Sequence, residues 1–225
     1  MELRVEQGAT ILGSQDEGDY PLVKPYPSYG IGRDVPTNKR YRPLVFGTNL
    51  SNVRISGGGT IGKPSCFAGN FVLRSADGNG GAWYARFFNK TLKWSRPCLI
   101  ELMFTSHITI DNLVLKNSAF WTVHPYASRS IIIRNLVITA PGWGANTDGV
   151  DPDSCSDVRC DSLLWLCRVG VLYWGLWDSG HASCCPPIIG CWLNEARKEG
   201  LGRWKVEVHG QPYKMTVYLS SHYAA

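Results

Sequence analysis

From Leu44 onward the apolar positions come in short β-branched bursts separated by polar turns: Leu44-Val45-Phe46, Val53-Arg54-Ile55, Ile108-Thr109-Ile110, Leu113-Val114-Leu115, Ile131-Ile132-Ile133 and Leu136-Val137-Ile138. Each burst is too short for a helix and is rich in strand-forming residues. The preceding stretch has another texture. Glycines and prolines (Gly8, Gly13, Gly18, Pro21, Pro25, Pro27, Gly30, Gly32, Pro36, Pro43) punctuate residues 8–47, which predicts a covering segment with room for short strands only.

The bursts recur in a frame. Ser106–Leu113 aligns with Arg129–Leu136 at a spacing of 23 residues, Ser51-Asn52-Val53-Arg54-Ile55 repeats its opening, and Ser156-Asp157-Val158-Arg159 begins it again. A period in the twenties signals a solenoid. Short strands with polar turns and no amphipathic helix between them favour an all-β parallel β-helix over a leucine-rich repeat, with an ordinary β-sandwich as the competing architecture. Branched side chains are expected inward, stacked from coil to coil, with Asn112 and Asn135 at equivalent turn positions where they can form a ladder. The frame is last recognised at Arg159. Beyond it tryptophan and cysteine crowd the chain at Cys160, Trp165, Cys167, Trp174, Trp177, Cys184, Cys185, Cys191 and Trp192. The expected organisation is therefore a truncated solenoid over 1–159 and an irregular, divergent tail over 160–225. For the tail, a shifted or unspliced reading frame and a genuine aromatic-rich appendage both stay open.

Composition adds exclusions. The length of 225 residues suits one core, and 23 Lys and Arg against 18 Asp and Glu, spread along the chain, do not mark a nucleic-acid binder. No apolar run approaches the ~20 residues of a membrane-spanning helix, so no membrane partner is expected, and a monomer is. No basic-then-apolar leader opens the chain. Met1–Glu6 runs straight into strand-like alternation, which reads like the inside of a fold. Two glycosylation triplets, Asn49-Leu50-Ser51 and Asn89-Lys90-Thr91, fit a secreted chain that has lost its leader. Of the eight cysteines, six lie between Cys155 and Cys191; their pairing cannot be read from spacing. None has zinc-site spacing, and neither a metal nor a cofactor is expected.

The densest chemistry is Ala145–Cys155, where Asp148, Asp151 and Asp153 fall among Asn146, Gly149 and Pro152. Asn and Asp tolerate left-handed and Asx-turn geometry, so a turn with carboxylates capping backbone amides is one reading. A site that uses the carboxylates is the other.

Several separate stretches together resemble the polygalacturonase family of glycoside hydrolases, its plant-type members above all. They are Val5–Ser14, Gly59-Thr60-Ile61, Arg96–Met103, Trp121–Pro125, Asn146-Thr147-Asp148-Gly149 and Pro152-Asp153-Ser154, in the family's order, and the likeness covers about residues 3–159. The resemblance implies a right-handed parallel β-helix that hydrolyses α-1,4-linked galacturonan in pectin with inversion, in a secreted, cell-wall setting. Inversion needs one carboxylic acid to protonate the leaving oxygen and a second carboxylate to activate water, about 6.5–9.5 Å apart. By the family pattern Asp148 belongs to the water-activating side. Asn146 shapes the turn and is a sugar-contact candidate, as are Asp151 and His124, although coil packing is the competing role for His124. For Asp153 a structural cap is expected.

The sequence also departs from that family. A Gly-Asp-Asp triplet with the general acid, a Gly-His-Gly turn and an Arg-Ile-Lys substrate clamp should follow, but no Asp-Asp pair occurs, Gly180-His181 is followed by Ala182, and Arg203-Trp204-Lys205 is a poor match. Little activity is therefore expected. A non-catalytic wall-polysaccharide binder and a product without function stay open beside the hydrolase reading.

Residues 62–76 are a second anomaly. Removing them joins Ile61 to Asp77 and restores a continuous Gly59-Thr60-Ile61-Asp77-Gly78-Asn79-Gly80 turn, so an insertion extruded from the coils is expected. Retained intron, shifted splice site and genuine loop are its open origins. Trp83, Trp94 and Trp143 are rim or core aromatics that could also stack on sugar, and His107 is expected as a polar turn residue.

Overall fold

The computed structural model describes residues 1–32, 35–62, 80–141 and 144–167, and the backbone of strands at 170–174, 177–179, 196–198, 203–210 and 213–220; side chains are described as far as Leu164. The expected insertion at 62–76, apart from Gly62, and Trp143 fall outside these residues.

The core is a stack of parallel coils. Ser51–Ser56, Ser106–Lys116, Arg129–Ala140 and Ser156–Cys167 lie side by side in one sheet, all parallel, with Ser106 opposite Arg129 and Arg129 opposite Ser156. Glu2–Arg4 adds a parallel edge strand beside Ser51–Ser56. A second sheet places Val45–Thr48, Ile100–Met103 and Val123–Tyr126 in parallel register. Consecutive coils paired in this way make a parallel β-helix and exclude the sandwich.

Register explains why the bursts are branched. The columns Val53–Ile108–Ile131–Val158, Ile55–Ile110–Ile133–Cys160 and Leu113–Leu136–Leu163 each fall wholly inside, all buried. The alternate positions Arg54, Thr109, Ile132 and Arg159 face out, as a pleated strand requires. Burying each large aliphatic side chain contributes about 1.5–3 kcal/mol.

The bends between strands are columns too. Asn49, Phe104, Ala127 and Ser154 repeat one left-handed corner; Asn52, His107, Ser130 and Asp157 repeat a second; Asn112, Asn135 and Ser162 a third, all with φ between 45° and 56°. Asn112 and Asn135 thus occupy one turn column, but the hydrogen bond runs from Asn135 Nδ2 to Asp111 Oδ1 at 3.0 Å rather than between the two amides. His107 is exposed in its corner.

Three features differ from the sequence expectation. The frame does not stop at Arg159: Ser156–Cys167 keeps register with Arg129–Ala140 as far as Cys167 opposite Ala140. It was hidden because Cys160 fills the slot that Ile133 fills one coil earlier. Beyond it, Gly170–Trp174 and Trp177–Ser179 turn back on this strand antiparallel, and Arg203–Gly210 pairs antiparallel with Tyr213–Ser220 and with Ala196–Lys198. Finally, the coil that contains residues 62–76 also contains a helix, Gly80–Phe88, where strands and turns alone were expected. Trp83 from that helix is fully buried with Tyr20 and Tyr41, and Trp94 packs edge-on to Tyr41, so Trp83 is a core residue with no face left for sugar.

The covering role of residues 8–47 is visible in its contacts. Tyr26 and Arg40 are buried against the outward side of the shorter sheet, and Leu22–Val23 pairs antiparallel with Arg40–Tyr41.

Candidate functional site

The Asp-rich stretch forms the next rung of the shorter sheet. Asn146 takes a left-handed turn (φ 55°), a conformation its short polar side chain tolerates. The loop before it is closed by Gly144 N donating to Pro141 O (2.8 Å) and Thr147 Oγ1 to Gly144 O (3.1 Å). The chain then runs alongside Val123–Tyr126. Thr122 N donates to Asp148 O (2.8 Å), Val123 N to Gly149 O (3.1 Å), Asp151 N to Val123 O (2.8 Å) and Asp153 N to Pro125 O (2.9 Å).

Val150 pairs with Val123 and is buried in the core. Alternation therefore sends Asp151 to the other side, in line with His124, Glu101 and Phe46 of the successive coils. Asn146 is exposed, Asp148 and Asp151 are half-buried, and Thr147 between them is buried. The structure thus brings Asn146, Asp148 and Asp151 together on one turn and its strand. Asp153 is tied structurally, by hydrogen bonds from Ser28 Oγ and from Ser154 Oγ (2.7 Å).

His124 lies elsewhere than the sugar-contact reading requires. It is fully buried, stacked on Trp121 with ring centres 4.6 Å apart and packed against Tyr26, also at 4.6 Å. The N-terminal segment shields it, so the packing role is the one its surroundings support.

Beneath Tyr26 is a polar network that the sequence reading missed. Arg40 donates to Glu101 from Nη2 to Oε1 (2.7 Å) and from Nη1 to Oε2 (3.1 Å), Tyr26 Oη also donates to Glu101, and the Arg40 guanidinium lies 3.9 Å over the Tyr26 ring. His124 Nδ1 stands 3.7 Å from Glu101 Oε2, too far for a direct hydrogen bond. Burial raises the Glu101 carboxyl, but contacts with His124, Arg40 and Tyr26 outweigh it and hold the group below its ordinary range. The signal was the coil period, since Glu101 occupies the rung-equivalent of His124.

Cys98, Glu101 and His124 bring a thiol, a carboxylate and an imidazole within 4.8 Å of one another, a donor set that transition metals accept. Two features oppose that use. Glu101 is already neutralised by a guanidinium that would repel a second cation, and burial, aided by the Glu101 charge, pushes the Cys98 thiol well up, leaving it neutral. The cluster is better described as a buried ion pair with its supporting shell.

Arg96, also buried, reaches the Asp turn itself. Its Nη1 donates to Ala119 O (2.9 Å) and Ala145 O (3.0 Å), and Nη2 lies 3.5 Å from Asn146 Oδ1. An open concavity of about 510 Å³ lies away from this turn, on the outer face of the long sheet near Arg54, His107 and Ile132. It contains none of the Asp-turn residues, so the chemistry of the turn carries the site assignment instead.

Residues 37–163 match Glycosyl hydrolases family 28. A "Probable polygalacturonase" of Vitis vinifera is 46% identical over 160 residues, which cover 71% of this chain and 29% of the grapevine protein. Among solved structures, a polygalacturonase from Erwinia carotovora ssp. carotovora superposes with a TM-score of 0.52 at 22% identity, over 72% of this chain and 41% of that one. A hyperthermoactive exopolygalacturonase from Thermotoga maritima gives 0.51 at 23% identity, over 74% and 40%. The chain therefore spans about a third of the length of the curated relatives it matches. The shared architecture is the right-handed parallel β-helix.

Proposed function

Because this chain belongs to Glycosyl hydrolases family 28, we propose that it recognises polygalacturonate, the acidic backbone of pectin, at the Asn146–Asp151 turn, and that residues 1–225 on their own turn it over at near background. The carrying observation is the Asp turn docked as a rung on Val123–Tyr126, with Asp148 half-buried beside exposed Asn146. In an inverting hydrolysis Asp148 would accept a proton from the attacking water, while a second carboxylic acid protonated the leaving oxygen. Asn146 would offer its side-chain amide to sugar hydroxyls, and half-buried Asp151, level with His124 on the strand, would complete the substrate-binding set.

Residues 1–225 carry only one half of that reaction. The sequence has no Gly-Asp-Asp acid and no Arg-Ile-Lys clamp, and acid–base assistance contributes typically about 10²–10⁴-fold. Recognition without efficient cleavage follows. Residues as far as Cys167 would supply the family β-helix and the rest a divergent tail; the antiparallel turn-back of Gly170–Trp174 supports a change of character there. A secreted, cell-wall location accords with the proposed substrate. Among the described residues no helix is long and apolar enough to cross a membrane.

Titration of residues 1–225 with galacturonate oligomers, followed by the amide resonances of Asn146–Asp151, tests the reading. Shifts confined to that turn and absent with a neutral glucan support it; equal response to both sugars, or none to either, refutes it.

A further inference from the structure

The Asp turn is held from two sides, and only one of them is the β-helix ladder. On its C-terminal side, Thr122 N and Val123 N bond Asp148 O and Gly149 O. On its N-terminal side, Arg96 Nη1 holds the carbonyl of Ala145 and, from the same nitrogen, Ala119 O in the coil before, while Nη2 approaches the Asn146 side chain. The helix Gly80–Phe88 completes this support. Phe87 lies under the Arg96 guanidinium (4.2 Å to the ring centre), with Phe120 on another side (5.0 Å). Tyr84, fully buried, donates to Ser118 O at 2.5 Å. A Cβ on Gly144 would stand 3.1 Å from Tyr84 Cζ and 3.0 Å from Thr147 Cγ2, so helix and turn are in tight contact.

We infer that Arg96, braced by the helix Gly80–Phe88, sets the conformation of the Asn146-Thr147-Asp148 turn and is a positioning residue for it. Arginine suits the task physically. A planar guanidinium can bond two carbonyls of successive coils in its own plane while presenting its faces to aromatic rings, which an ammonium cannot do. The helix is thereby given a role: it supplies the aromatic surface that fixes the guanidinium plane, and so the entry of the chain into the left-handed Asn146. The value of this geometry to ligand binding rests on the polygalacturonate reading above; the geometry itself does not.

Two readouts on the full chain separate those claims. The first is amide hydrogen exchange of residues 145–149 in the wild type, Arg96→Met, Arg96→Lys and Phe87→Ala; Phe87 is half-buried, so its truncation guards against a misfolded Arg96→Met. The turn amides are expected to exchange about tenfold faster or more in Arg96→Met, as loss of a charge-assisted bond implies, and faster to a lesser degree in Phe87→Ala, with Arg96→Lys partly restored. The strands Ser106–Lys116 and Arg129–Ala140 should keep their wild-type protection. Unchanged exchange at 145–149 in both Arg96→Met and Phe87→Ala overturns the inference, and so does a uniform rise through the strands, which would make Arg96 a general core support. The second readout is affinity for galacturonate oligomers, expected to weaken in parallel and to recover only in part in Arg96→Lys. A wild type that binds no oligomer refutes the polygalacturonate reading, while the exchange result still decides the role of Arg96.

Discussion

Arg40 reaches from the N-terminal covering segment to Glu101 on the shorter sheet, with Nη2 2.7 Å from Oε1 and both side chains withdrawn from water. Removing one charge of such a pair leaves the other buried and uncompensated, at a cost of about 3–5 kcal/mol. Glu101→Gln should therefore destabilise the fold strongly by urea denaturation at neutral pH, whereas a loss below ~1 kcal/mol would show that Arg40 finds another partner or reaches water.

The same pair sets an acid dependence. The Glu101 carboxyl is held below its ordinary range, so its contribution is complete above the unfolded value of about 4.3 and is lost as pH falls through the lower folded value. The gap in urea midpoint between wild type and Glu101→Gln should stay level from neutral pH to about pH 5 and shrink below about pH 4. A gap that widens on acidification would reverse the sign and disprove the assignment.

Residues 63–76 should be dispensable to the coils. Gly62 (φ 106°) is seated so closely on Lys116 that a Cβ would meet its carbonyl oxygen at 2.1 Å, and a Cβ on Gly80 would lie 2.7 Å from Asn117 O. The two flanks thus abut consecutive residues of one neighbouring coil, and a shorter connection need not disturb the strands. Deleting 63–76, which keeps Gly62 on Lys116, is expected to leave the amide protection of Ser106–Lys116 and Arg129–Ala140 intact. Loss of that protection, or destabilisation beyond ~2 kcal/mol, would make the segment part of the core.

The strands were legible in the sequence because burial in a stacked solenoid imposes the same demand on every coil. Ile108 and Ile131 announce each other, as do Ile110 and Ile133. The frame became illegible where chemistry changed and geometry did not: Cys160 continues the inner column of Ile55, Ile110 and Ile133 without their β-branched signature. The helix Gly80–Phe88 escaped because its aromatic residues pack on Tyr20 and Tyr41, partners remote in sequence. Of the candidate site, the Asn146–Asp151 stretch was legible as a carboxylate-rich turn. Arg96 and the Arg40–Glu101 pair were not, since each works through neighbours contributed by other coils or by the covering segment. His124 shows the converse: its motif was recognisable, but only the position of Tyr26 and Trp121 decides that it packs.

The most direct test of the account is reducing-end release from polygalacturonate by purified residues 1–225, set beside Asp148→Asn. The account predicts turnover near background for both, because one water-activating carboxylate without its acid partner forfeits about 10²–10⁴-fold of assistance. Clear turnover by the wild type, abolished in Asp148→Asn, would contradict it and would mean that another carboxyl group, Asp151 foremost, protonates the leaving oxygen.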